Sequence, residues 1–178
     1  MELLKVIREQ TNNFFSGKIN ILYRHNKRFW GHFSLCGGYV VQVQYQKCNN
    51  ERALFNLLFD YPLIADQLEY VMEAEVIHEK DQKMALGFEQ LAEKVYLFAQ
   101  EISQLHRFRP PSQLYLCANR PDPSLAGIIN EEQRLILREI GKYTQVGNLY
   151  TSSSLSAGEL TRALVGLRKI GAIKVVNN

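Results

Sequence analysis

The sequence predicts an α+β protein: an antiparallel meander sheet with helices, a long connecting helix, and then a small winged-helix-like domain. Three observations carry that reading. Residues 18–46 place apolar side chains at every second position, the period of a strand. Residues from about 82 to 106 repeat them at alternating intervals of four and three, the period of a helix with one buried seam. Residues 130–178 carry caps, short apolar runs and turn residues in the order helix, short strand, short helix, turn, helix, strand, that of a winged helix-turn-helix.

Leu3, Leu4, Val6 and Ile7 open a short helix, weakened at Thr11-Asn12-Asn13 and stopped at Gly17. The meander follows, with Ile19, Ile21 and Tyr23, then Phe29, Gly31, Phe33 and Leu35, then Tyr39, Val41, Val43 and Tyr45. His25-Asn26-Lys27 and Cys36-Gly37-Gly38 supply its turns. A lone meander is marginal and needs a cover. The stripe Ala53, Leu54, Leu57 and Leu58 provides one, on a helix that starts after Asn49-Asn50 and ends at Tyr61-Pro62. Residues 68–77 alternate again, with Glu69, Glu73 and Glu75 on an outer face. Three carboxylates along one strand do not by themselves enclose a cation, so this reads as a solvated face.

The long helix, about residues 82–106, aligns Met84, Phe88, Leu91, Val95, Phe98, Ile102 and Leu105. That seam reads either as an internal spine packing on neighbouring modules or as a homodimer helix. Ala92, Tyr96, Leu97 and Ala99 widen the apolar stripe, which favours more than one packing partner. Arg109-Pro110-Pro111 breaks the helix, Leu114–Cys117 suits an added strand, and Pro121 and Pro123 mark a linker. The expected domains are residues 1–118 and 130–178, joined by a linker at 119–129.

In the last domain Asn130 can cap a helix with Gln133 at its third position, and Gly141 lies just past its end. Thr144–Val146 suits a short strand and Gly147–Ser153 a short helix. Ser156 and Glu159 form a capping box, with Leu155 and Leu160 as its hydrophobic staple. Gly171 closes that helix, and Ile173–Val176 make a final strand. The third helix of such a domain is the one that enters DNA. Its expected outward side carries Arg162, Arg168 and Lys169, together with Glu159 and Thr161. Three cations are a small phosphate footprint, and two of them sit where the helix dipole attracts cations anyway.

Composition bounds the function. The chain has 178 residues, 46% hydrophobic and 22% charged, which excludes a disordered, collagen-like or disulfide-scaffold protein. The net charge is +3, and the whole excess lies in residues 130–178, with seven basic and four acidic side chains. No long apolar run or signal segment is present, so no membrane insertion is expected. Cys36, Cys48 and Cys117 form no CxxC pair and read as reduced, partly buried thiols of a cytoplasmic protein. His25, His32, His78 and His106 are scattered, and no Walker loop, GxGxxG, GxSxG or HExxH occurs. The expectation is therefore no enzyme, no cofactor and no metal. At one hairpin tip Arg24, His25, Lys27 and Arg28 precede Phe29-Trp30. That mixture suits an acidic partner or a stacked base, unless it is a solvated turn with Trp30 packed beneath.

Phe15-Ser16-Gly17-Lys18-Ile19-Asn20-Ile21, then Phe33-Ser34-Leu35-Cys36-Gly37-Gly38-Tyr39-Val40-Val41-Gln42-Val43, resembles the glycine-punctuated meander of PATAN-type domains. Glu51-Arg52-Ala53-Leu54-Phe55-Asn56-Leu57-Leu58 resembles the helix that follows it. Tyr45-Gln46 and Cys48-Asn49-Asn50 depart from it, where a small residue and a glycine are usual. These bacterial domains occur in signalling proteins, often beside phospho-receiver domains, and in several lineages are linked to surface motility. The resemblance implies no catalytic residue and leaves phosphoryl input to a partner.

The expected function is that of a non-enzymatic adaptor presenting surfaces to another signalling protein. The rival is a transcription regulator whose C-terminal helix reads DNA and whose heptad helix dimerises two heads. Small-ligand sensing beneath the meander is a third class that sequence alone leaves open.

Overall fold

Residues 1–119, 129–141 and 144–176 are described by the computed structural model. The expected linker lies almost wholly outside the described residues, as does the end of the chain at Asn177-Asn178. The chain divides into two units, Met1–Gln100 and Glu101–Asn178.

In the first unit α1 (Glu2–Asn12) buries Leu3, Ile7 and Thr11, each four residues apart and so on one helix face. The sheet that follows is antiparallel, in the order β4-β3-β2-β1-β5. Its strands are β1 (Gly17–Tyr23), β2 (Phe29–Cys36), β3 (Tyr39–Tyr45), β4 (Cys48–Asn49) and β5 (Leu68–Ala74). Ile19, Phe33 and Val43 lie in one cross-strand row and are all buried. Above them sits α2 (Asn50–Ile64), which buries Ala53, Leu54, Leu57 and Leu58 as the stripe predicts. Gly31 makes the approach close: a Cβ there would stand 2.8 Å from the Gln44 carbonyl and 3.7 Å from Leu57.

Several expectations change. Pro62 does not end α2, which continues to Ile64. Proline forfeits one intrahelical bond, and the buried Phe59 and Tyr61 beside it hold the turn against the sheet. Strand β5 stops at Ala74, and beyond Tyr70 both of its faces are exposed; Met72 and Val76 are not core residues. As an edge strand it is tied to α2 at Tyr70, whose hydroxyl lies 2.8 Å from that of Tyr61.

The long helix starts later than its period suggests, at Phe88, and runs to Phe108 (α3). Met84 belongs to an extended segment along the edge of β3. There Lys83 N and Met84 N donate to the Val41 carbonyl, and Leu86 bridges Val40. Backbone pairing with an open strand edge outweighs a continued helical period. At the start of the helix Gly87 N donates to Gln90 Oε1 at 3.1 Å.

The second unit begins within α3, at Glu101, and continues through β6 (Tyr115–Ala118), α4 (Glu131–Glu139), β7 (Thr144–Gln145), α5 (Val146–Ser152), α6 (Ala157–Lys169) and β8 (Ile173–Val176). Leu116, Ile136, Val146, Leu149, Leu160, Leu164, Leu167 and Ile173 form its core. Asn130 caps α4 as expected and completes a capping box with Gln133, and the expected box of Ser156 with Glu159 is present. Gly171 lies just past α6 at φ +70°. The fold is winged-helix-like with one substitution. The sheet order is β7-β6-β8, so β6, from before the first helix of the motif, fills the middle place that a returning wing strand would take. Residues 115–118 therefore belong with the second domain, not with the first as the boundary at 118 assumed.

Candidate functional site

Three surfaces hold the residues that the sequence singles out. The first is α6. Its outward set is smaller than expected, because Glu159 and Thr161 are buried. Local hydrogen bonding makes that burial affordable. Glu159 accepts from Ser156 N at 3.0 Å and from Ser156 Oγ at 2.9 Å. Thr161 Oγ1 donates to the Ala157 carbonyl at 2.7 Å, so the Tyr150 phenol, 2.6 Å away, is the donor to Thr161. Burial raises the Tyr150 pKa, and the guanidinium of Arg109 lies 4.5 Å over its ring.

Arg162 makes a two-pronged pair with Glu101: Nε to Oε1 at 2.7 Å and Nη2 to Oε2 at 3.1 Å. Arg168 and Lys169 remain exposed at the helix end. Glu101 and Tyr150 were missed by sequence reasoning, which has no signal for pairings across such separations.

The second surface is the β1–β2 hairpin tip. Two of its cations are engaged: Arg24 Nε donates to the Leu68 carbonyl, and Lys27 pairs with Glu69 at 2.7 Å. Glu75 pairs likewise with Lys18 at 2.7 Å, so two of the three carboxylates of the outer face meet lysines. Arg28 is exposed. Trp30 is not a surface residue. The β1–β2 register passes from Ile21↔Gly31 to Leu22↔Phe29, making Trp30 the extra residue of a bulge. The bulge turns it inward to within 4.7 Å of the Tyr45 ring and 6.5 Å of the Tyr61 ring.

A cleft of about 430 Å³ opens beside this tip, lined by Tyr23, His25, Arg28, Phe29, Trp30 and Tyr45 among others. The Tyr45 hydroxyl donates to Asp60 at 2.6 Å and accepts from Gln46 Nε2 at 3.0 Å. Burial, reinforced by Asp60, pushes the Tyr45 phenol far above its ordinary pKa, so it stays protonated as a donor.

The third surface is the heptad seam. Its helical part is buried within the chain at Leu91, Val95, Ile102 and Leu105. Phe98 meets Phe55 edge to face at 5.5 Å, and Phe88 lies under the Arg8 guanidinium. Tyr96 and Leu97, from the widened stripe, are 62% and 55% exposed.

The thiols of Cys36, Cys48 and Cys117 are free and half-buried. Among the described residues no helix is long and apolar enough to cross a membrane. No family model, no curated protein and no solved structure matches the chain.

Proposed function

We propose that the protein is a non-enzymatic cytoplasmic adaptor of bacterial signalling that works through contacts with another signalling protein. The observation that carries this reading is the state of α6. A helix that reads DNA needs a row of side chains free to enter the major groove. In α6, Glu159 and Thr161 are buried, Arg162 is held by Glu101, and exposed cations remain only at the C-terminal end. Two such cations neutralise too few phosphates for useful affinity at physiological salt. The signalling and motility context comes from the PATAN resemblance of residues 15–58.

The partner-facing groups are Arg28 at the hairpin tip and the Arg168-Lys169 pair. Mixed genomic DNA at low salt is expected to leave the fluorescence anisotropy of labelled protein unchanged. Capture from a bacterial lysate is expected to enrich a signalling protein over an Arg28→Glu/Arg168→Glu/Lys169→Glu variant. Salt-sensitive DNA binding lost in that variant would replace the adaptor reading by the regulator one.

A further inference from the structure

We propose that the cleft at the β1–β2 tip binds a nucleoside phosphate. Four features of the cleft, beyond what the adaptor reading needs, point to such a ligand.

Its volume, about 430 Å³, falls in the range of small-ligand sites, roughly 300–1,000 Å³. Four aromatic residues line it: Trp30 and Tyr45 are its buried floor, while the exposed Phe29 and the half-buried Tyr23 offer apolar faces, which favour planar rings over aliphatic ligands. Phe29 is 47% exposed, so one wall is accessible without rearrangement.

Its charge is one-sided. His25 and Arg28 line the cleft, and none of the described residues lining it is Asp or Glu. The neighbouring cations are already committed, Arg24 to the Leu68 carbonyl and Lys27 to Glu69. Arg28 is thus the guanidinium available to a phosphate, whose oxygens match its forked donors.

The cleft is also set in place before any ligand arrives. Arg28 N donates to Asn26 Oδ1 at 2.9 Å, and its carbonyl accepts from Tyr23 N at 2.9 Å, fixing the Arg28 backbone at both ends. The bulge holds Trp30 against Tyr45, and Asp60 with Gln46 clamps the Tyr45 hydroxyl. A site built this way loses little entropy on binding. The ring stacks on the exposed Phe29, and the phosphate is held by Arg28 beside it.

Trp30 is the only tryptophan of the chain, so its emission reports this cleft alone. The test titrates the full chain with the four ribonucleoside monophosphates, the parent nucleosides and inorganic phosphate, followed by Trp30 fluorescence and by calorimetry. At least one monophosphate is expected to saturate, about tenfold or more tighter than its nucleoside, as a charge-assisted contact requires. Arg28→Ala should erase that tenfold difference while leaving nucleoside binding unchanged. Phe29→Ala should weaken monophosphate and nucleoside alike. Both side chains are exposed, so the variants are expected to keep the wild-type circular dichroism spectrum, which is recorded alongside. No saturation by any monophosphate at millimolar concentration in either measurement overturns the proposal. So does equal affinity for nucleoside and monophosphate, or binding of inorganic phosphate as tight as that of the nucleotide. DNA binding and partner capture are read separately, so the adaptor reading can fail without this one.

Discussion

Arg162 of α6 and Glu101 of α3 meet side-on, two guanidinium nitrogens on two carboxylate oxygens, with side chains 34% and 40% exposed. The pair ties the last turns of α3 to α6. Exposed ion pairs contribute little, but two-pronged geometry and partial burial raise the value to about 1 kcal/mol. A double-mutant cycle of Glu101→Gln and Arg162→Gln, followed by urea unfolding, is expected to show that coupling. Coupling indistinguishable from zero would mean the pair does not hold the two helices together.

The seam and its flank should respond differently to substitution. Leu91 is fully buried, so Leu91→Ala removes packed methyl groups and leaves a cavity, at a cost of about 2–5 kcal/mol. Leu97 is 55% exposed, and Leu97→Glu should change unfolding free energy by less than about 0.5 kcal/mol. Light scattering on the Leu97→Glu protein adds a second reading. A mass halved relative to wild type would mark this flank as the surface of a homodimer.

Local signals were legible; pairings across the chain were not. Both capping boxes, the glycine after α6, the meander and the α2 stripe follow from residues a few positions apart. Met84 misled because it continues the heptad period, while its backbone finds a better partner in the open edge of β3. The place of β6 was hidden because Tyr115–Ala118 pairs with strands that begin nearly thirty and sixty residues later. At the hairpin tip a bulge reverses Trp30, and alternation has no way of encoding an inserted residue. On α6 the expected outward face failed at Glu159 and Thr161 because each polar group is satisfied within its own helix or cap.

His32 gives the fold a dependence on pH. It is 7% exposed, and its Nε2 has no hydrogen-bond partner. Burial lowers its pKa below the ordinary 6.5, Lys18 adds to that, and Gln42 and Glu75 oppose it. The native imidazole therefore binds fewer protons than the unfolded one in mildly acid solution. Its contribution is fully present above about pH 6.5 and diminishes as pH falls from there towards the lowered native value. Urea unfolding between pH 7.5 and 5 should show stability falling with pH, with a shallower slope in His32→Gln. Equal slopes in the two proteins would remove His32 as the source.

Gly166 and Gln133 yield a substitution whose sign depends on its background. Gly166 lies within α6, where alanine ordinarily stabilises a helix by about 1 kcal/mol. A Cβ at that position would collide with Nε2 of Gln133. The same side chain accepts from Asn130 N at 3.0 Å, closing one half of the capping box of α4. Gly166→Ala must therefore swing Gln133 away and open that box, a loss of about 0.5–2 kcal/mol that offsets the helical gain. The single variant is expected to be neutral or destabilised. In a Gln133→Ala background the collision is gone, the box is already open, and Gly166→Ala should stabilise by about 0.5–1 kcal/mol. Thermal unfolding of the four proteins measures this, and an equal gain from Gly166→Ala in both backgrounds would show that Gln133 yields without losing its bond.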